Sequence, residues 1–165
     1  MPPFNNFTTK AKEVIRKAHE LAIERGQNHV NSLHLLTALL IQEDSLIISI
    51  LDKMEVDTML LTDNLIEMIE SPENRNTLSP SYQIYLTPDL AKIIENSSKE
   101  ALSIKDEFVS TEHLFVSLLE VPGEARNLLS RFKIDKEKVL NVLKLLRTEN
   151  ATGTNISKKI GRAHV

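Results

Sequence analysis

No cysteine occurs in this chain of 165 residues, so neither a disulfide scaffold nor a thiolate metal site is available to it, and a reducing compartment is permitted. Glycine is nearly as scarce. Its four copies, Gly26, Gly123, Gly153 and Gly161, are too few for a doubly wound nucleotide-binding fold, whose phosphate loop alone uses several. Aromatic residues make up 4% and tryptophan is missing, which argues against a sheet and for an aliphatic, helix-packed core within the 41% apolar content. There is no excess of positive charge: the net charge is -3 and the pI about 6.0, which excludes a nucleic-acid backbone as the expected partner. The longest apolar-rich run, Leu33 to Ile41, falls far short of the roughly 20 residues of a membrane span. The start, MPPFNNFTTKAKEV, lacks the basic and apolar regions of a signal peptide. A soluble, cytoplasmic protein without a membrane partner is the expectation.

Motifs that carry chemistry are missing too. The sequence contains no GxxxxGK[ST] to cradle phosphates, no GxSxG and no HExxH. His19, His29, His34, His113 and His164 show no metal-ligand spacing, and no carboxylate pair reads as a catalytic dyad. A non-catalytic chain with no metal and no cofactor of its own is therefore expected.

What is present is helical periodicity. Phe7, Ala11, Val14, Ile15, Ala18, Leu21 and Ala22 recur every three or four residues and form one stripe, with Thr8 or Thr9 as N-cap and Gly26 as stop. A second helix starts at Asn31 or Ser32 and carries Leu33, Leu35, Leu36, Leu39 and Leu40. A third runs from about Ser45 to Met54. Asp57 caps a fourth containing Leu60, Leu61, Leu65, Met68 and Ile69. Residues 71–83, with two prolines and three serines, read as a linker.

The pattern then starts again. A shift of 79 residues brings Thr8 onto Thr87, Val14 and Ile15 onto Ile93 and Ile94, and Val30, His34, Leu35, Leu39 and Leu40 onto Val109, His113, Leu114, Leu118 and Leu119. Past the loop holding Pro122 and Gly123 the shift becomes 78, and Met54, Val56, Asp57, Leu65 and Met68 fall on Phe132, Ile134, Asp135, Leu143 and Leu146. Matching caps and matching histidines go beyond the apolar coincidences common to any two helical bundles. The chain reads as an all-α duplication of a four-helix unit, about eight helices with pseudo-twofold symmetry: residues 1–70, the linker 71–83, and residues 84–148. Residues 149–165 read as a flexible tail. Its end, IGRAHV, looks like the translation of a sequencing adapter after a truncated reading frame, so the natural protein is expected to continue.

Each histidine follows its cap candidate, Asn31 or Ser110, by three residues, where a side chain can reach back as Glu does in a capping box. Glu112 suits the first turn of a helix, where a carboxylate favours the macrodipole. Asp106, taken alone, reads as a solvated loop residue. Phe7, Tyr82 and Tyr85 stand near the starts of the two repeats, either packed on the core or edging an apolar groove.

With FTTKAKEVIRKAHELAIERGQNHVNSLHLLTALL in one copy and VSTEHLFVSLL in the other, residues 4–148 resemble the Clp N-terminal repeat domain that precedes the ATPase rings of Clp-type AAA+ chaperones. The resemblance implies a mobile domain tethered to a hexameric unfoldase. Such a domain captures unfolded or aggregated client proteins, or an adaptor, and it is monomeric as a fragment. ATP and magnesium would belong to the parent's ATPase modules. On the ClpB-like pattern, Thr8, Asp106 and Glu112 match positions beside an apolar groove, with Phe7 a further candidate at its edge. The ClpC-like pattern has Glu in both copies of its TEH motif, linked to phosphoarginine. Here the first copy has Leu33, so that ligand is not carried over. The competing reading is a free-standing helical-repeat scaffold without an ATPase.

Overall fold

A computed structural model describes residues 6–71 and 84–153. The first repeat contains α1 (Thr9–Glu24), β1 (His29–Val30), α2 (Ser32–Ile41), α3 (Leu46–Lys53) and α4 (Thr58–Glu70). The second contains β2 (Tyr85–Leu86), α5 (Pro88–Ser103), α6 (Thr111–Glu120), α7 (Glu124–Arg131) and α8 (Lys136–Gly153). Ser71 begins the expected linker, and the rest of it, residues 72–83, lies outside the described residues.

Helix starts are set by side chains that accept orphan backbone N–H groups. Thr8 Oγ1 accepts from Ala11 at 3.1 Å, and Thr87 Oγ1 accepts from Leu90 at 3.4 Å with Pro88 at the first helical position. Asp57 and Asp135 cap α4 and α8 through Leu60 (3.0 Å) and Lys138 (2.9 Å). Ser45 caps α3, but its counterpart in the second copy is Gly123, which offers no side chain. A Cβ on Gly123 would lie 2.9 Å from Asp89 Oδ2, so the end of that side chain would have to shift to admit one. The connection between α6 and α7 is also one residue shorter than that between α2 and α3, which accounts for the change of shift.

The two repeats are interlocked by a reciprocal exchange. β2, which leads the second repeat, pairs in parallel with β1 of the first, with His29 opposite Tyr85 and Val30 opposite Leu86. The segment leading the first repeat does the same in return, as Phe7 bridges Val109 in parallel. Equivalent hydrogen bonds close both seams: Thr87 N–H to Val30 O at 2.9 Å, and Thr8 N–H to Val109 O at 2.8 Å. Each cap threonine is thereby held to the opposite repeat.

α2 and α6 form the centre. Ser32 to Leu40 are all buried, as are Thr111 and His113 to Leu119, and each helix touches the other as well as partners in both repeats. A helix that is apolar nearly all round has nowhere to go but the interior. The two central helices, flanked by α1 and α5, bury one continuous core.

The expected tail departs from the structure at its start. α8 continues through Gly153, so residues 149–153 are helical rather than linker. Helix propagation adds one backbone hydrogen bond per residue and needs no apolar stripe once a helix is nucleated, and apolar periodicity therefore misplaced this end. Residues 154–165, IGRAHV among them, lie outside the described residues.

Candidate docking seam

α1 and α5 end alike. In the first repeat Gly26 takes φ 67° and Gln27 N–H returns to Ala22 O at 2.9 Å; in the second Lys105 takes φ 62° and Asp106 N–H returns to Ala101 O at 2.9 Å. This Schellman closure makes Gln27 and Asp106 the residues just past the left-handed turn. Both are aimed at the histidine in the first turn of the following helix.

Those histidines cap as expected. His34 Nδ1 accepts from Asn31 N–H at 3.0 Å, and His113 Nδ1 accepts from Ser110 N–H at 2.8 Å. With Nδ1 accepting, the ring proton sits on Nε2. His34 Nε2–H donates to Gln27 Oε1 at 2.6 Å, and His113 Nε2–H donates to Asp106 Oδ2 at 2.7 Å. Burial, with Arg25 nearby adding to it, pushes the His34 pKa down to about 4.

From this shared frame the repeats diverge. Gln27 has an N–H to donate, and Ile69 O accepts it at 3.2 Å. Asp106 can only accept, and the residue standing where Ile69 does in the other copy is Arg147. Its guanidinium grips Asp106 in a fork, Nη1 to Oδ1 at 3.2 Å and Nη2 to Oδ2 at 2.7 Å, and Nη2 also donates to Glu112 Oε2 at 3.2 Å. Ser110 donates its hydroxyl to the other Glu112 oxygen. Burial works against ionisation of Asp106, but the Arg147 and His113 hydrogen bonds outweigh it and hold the carboxyl below its ordinary value. Asp106 in turn raises the pKa of Arg147.

Asp106 and Glu112 therefore meet on Arg147, whereas Thr8 reaches this stretch only through its backbone. The backbone of Thr8 is tied to Val109, midway between the two acids in the chain, and Arg147 joins the acids to each other. Asp106 is no solvated loop residue. Phe7 is corrected in the other direction: it is 6% exposed within the core, because the bridge to Val109 turns its ring inward, and it has no face to offer a groove. Phe108, two residues past Asp106 in the chain, stays outside at 53% exposure. Tyr85 is also exposed and rests 5.8 Å from the His29 ring; Tyr82 lies outside the described residues.

Arg147 escaped the sequence reading, although a signal existed. Val139 and Leu143 hold buried positions on α8, and the next position of that stripe, which Ile69 fills in the first copy at 1% exposure, carries an arginine. A charge on an apolar stripe implies a buried or half-buried partner.

An inter-repeat cleft of about 600 Å³ opens elsewhere, between the α3–α4 and α7–α8 turns. Met54, Val56, Phe132 and Val142 line it together with Glu55, Asp57, Lys133 and Lys138, and neither Thr8, Asp106 nor Glu112 does. Among the described residues no group of three His, Asp or Glu could hold a metal ion, and no single helix is long and apolar enough to cross a membrane.

The ClpB chaperone of Bacillus anthracis is 31% identical over 144 residues, covering 87% of this chain and 17% of that protein. That of Clostridium tetani is 30% identical over 150 residues, covering 90% and 17%. The chain thus spans about a sixth of the length of the curated relatives it matches. The Hsp104 N-terminal domain from Candida albicans superposes with a TM-score of 0.74 at 17% identity, covering 87% of this chain and 92% of that one. The N-terminal domain of the ClpV1 ATPase from E. coli does so with a TM-score of 0.72 at 16% identity, covering 87% and 86%. These two establish the fold. The model of the Clp repeat N-terminal domain matches residues 6–132, across the seam and both central helices, and the chain belongs to that family.

Proposed function

We propose that this chain is a non-catalytic docking module that takes hold of other polypeptides, unfolded or aggregated clients or an adaptor, on behalf of an ATP-dependent Clp chaperone. The observation that carries the reading is the pairing of Asp106 and Glu112 on Arg147, flanking the Val109 to which Thr8 of the other repeat is bonded, with Phe108 half exposed beside them in the chain. An exposed aromatic beside a polar rim is the usual anatomy of a small protein-binding surface. The arrangement performs no chemistry. It presents an apolar anchor on a close-packed helical frame.

In this reading the chain is a monomer by itself and works in the cytoplasm. ATP and magnesium act in other modules of a hexameric parent. A single apolar anchor gives weak binding, in the range of roughly tens to hundreds of micromolar, and six copies on one ring raise it by avidity.

The test is fluorescence anisotropy of a labelled, permanently unfolded polypeptide titrated with the full chain. Saturable binding is expected, weakened at least about fivefold in Phe108→Ser and in a Thr8→Ala, Asp106→Ala, Glu112→Ala triple variant. Thr8→Ala alone removes a cap worth about 1 kcal/mol, so circular dichroism must show each variant folded. Unchanged binding by folded variants would remove the seam from the reading. No binding by the unmodified chain would end it.

A further inference from the structure

The docking reading leaves Arg147 without a task, and its surroundings suggest one. The first repeat manages the same position with Ile69, because its neutral Gln27 needs only a carbonyl. In the second repeat two carboxylates came together and a cation was placed between them. That cation is not a buried strut: the Arg147 side chain is 43% exposed, against 25% for Asp106 and 12% for Glu112. Nor does either acid depend on it for a hydrogen bond, since Asp106 also accepts from His113 and Glu112 from Ser110. Without Arg147 each acid would keep one hydrogen bond and the pair would lose the guanidinium that bridges it.

We infer that Arg147 is a specificity-determining residue of the seam: it fills from inside the seat a cationic side chain would take, and so reserves the surface around Phe108 for uncharged apolar segments. This rests on the docking reading above. An intramolecular cation acts at an effective concentration in the millimolar range, which a single arginine of a passing client does not match. Selectivity here comes from blocking the wrong partner rather than from improving the right one.

The experiment uses a labelled apolar peptide with one central arginine and its citrulline twin, equal in shape and lacking the charge. The unmodified chain is expected to bind the citrulline form at least as tightly as the arginine form. Arg147→Met, which keeps an apolar stem on α8, is expected to reverse the order, with the arginine form about fivefold tighter, as suits a half-exposed ion pair. Arg147→Lys should retain the original order, and adding Asp106→Asn to Arg147→Met should abolish the reversal. A purely structural Arg147 would weaken both peptides together. The inference is overturned if the unmodified chain prefers arginine, or if Arg147→Met binds both forms with one affinity. If neither peptide binds either chain, the docking reading itself fails and this inference goes with it.

Discussion

His34 and His113 do the same local work in different surroundings. Each accepts a backbone N–H at its own helix start and donates its remaining N–H to a residue just past the end of the previous helix. At His34 that N–H donates to Gln27 in a buried site, 1% exposed, and the folded-state pKa falls to about 4 from an ordinary 6.5. A group whose pKa is depressed on folding binds fewer protons in the folded state, so its contribution is complete above pH 6.5. It is lost as pH falls from there towards 4. By about 1.4 kcal/mol per unit, the loss approaches roughly 3 kcal/mol. Urea unfolding from pH 7 to pH 4 should show that decline, and His34→Gln should flatten it while lowering stability at pH 7. The capping role of these residues was legible from their spacing alone. The fork between Arg147 and Asp106 was not, because residues 41 apart meet only through the packing of α8 on the second repeat.

At the scale of the element, four helix ends share one device with unequal residues. Gly26, Glu55, Lys105 and Lys133 all sit in the left-handed region, at φ 67°, 60°, 62° and 60°, each just past a helix. Only the first is glycine. A Cβ in this region costs roughly 1 kcal/mol, partly offset by the freedom glycine gains in the unfolded chain. Lys105→Gly should therefore raise stability by about 0.5–1 kcal/mol and Gly26→Ala should lower it by about 1 kcal/mol, both measured by chemical denaturation. Apolar stripes and caps placed the starts of α1 to α4 to within about a residue, since each N-cap is a local bond between neighbours in sequence. The end of α8 was not legible, because nothing in the polar stretch after Thr148 stops a helix before Gly153.

At the scale of the whole molecule, the exchange of leading segments joins the repeats into one folding unit. Val30 and Val109 are both fully buried where a segment from the other half pairs with them, β2 in one case and the Phe7 bridge in the other. Tryptophan probes placed one in each repeat should unfold with a single midpoint, and two separate transitions would contradict the shared core. Phe7→Ala should cost about 3–5 kcal/mol as a core truncation and lower that common midpoint. The same variant should leave peptide affinity unchanged wherever the chain remains folded, since Phe7 has no outward face.

The duplication, the all-α class, the N-caps and the histidine capping boxes followed from the order of residues alone, because each depends on periodicity or on groups a few positions apart. The tertiary structure alone decided that Phe7 turns inward while Phe108 stays out, that Asp106 is paired rather than solvated, and that Arg147 sits between two acids. Those outcomes depend on how two similarly folded halves cross. A one-dimensional pattern records that each half has an apolar face, but not which side chains are caught at the seam when the faces meet.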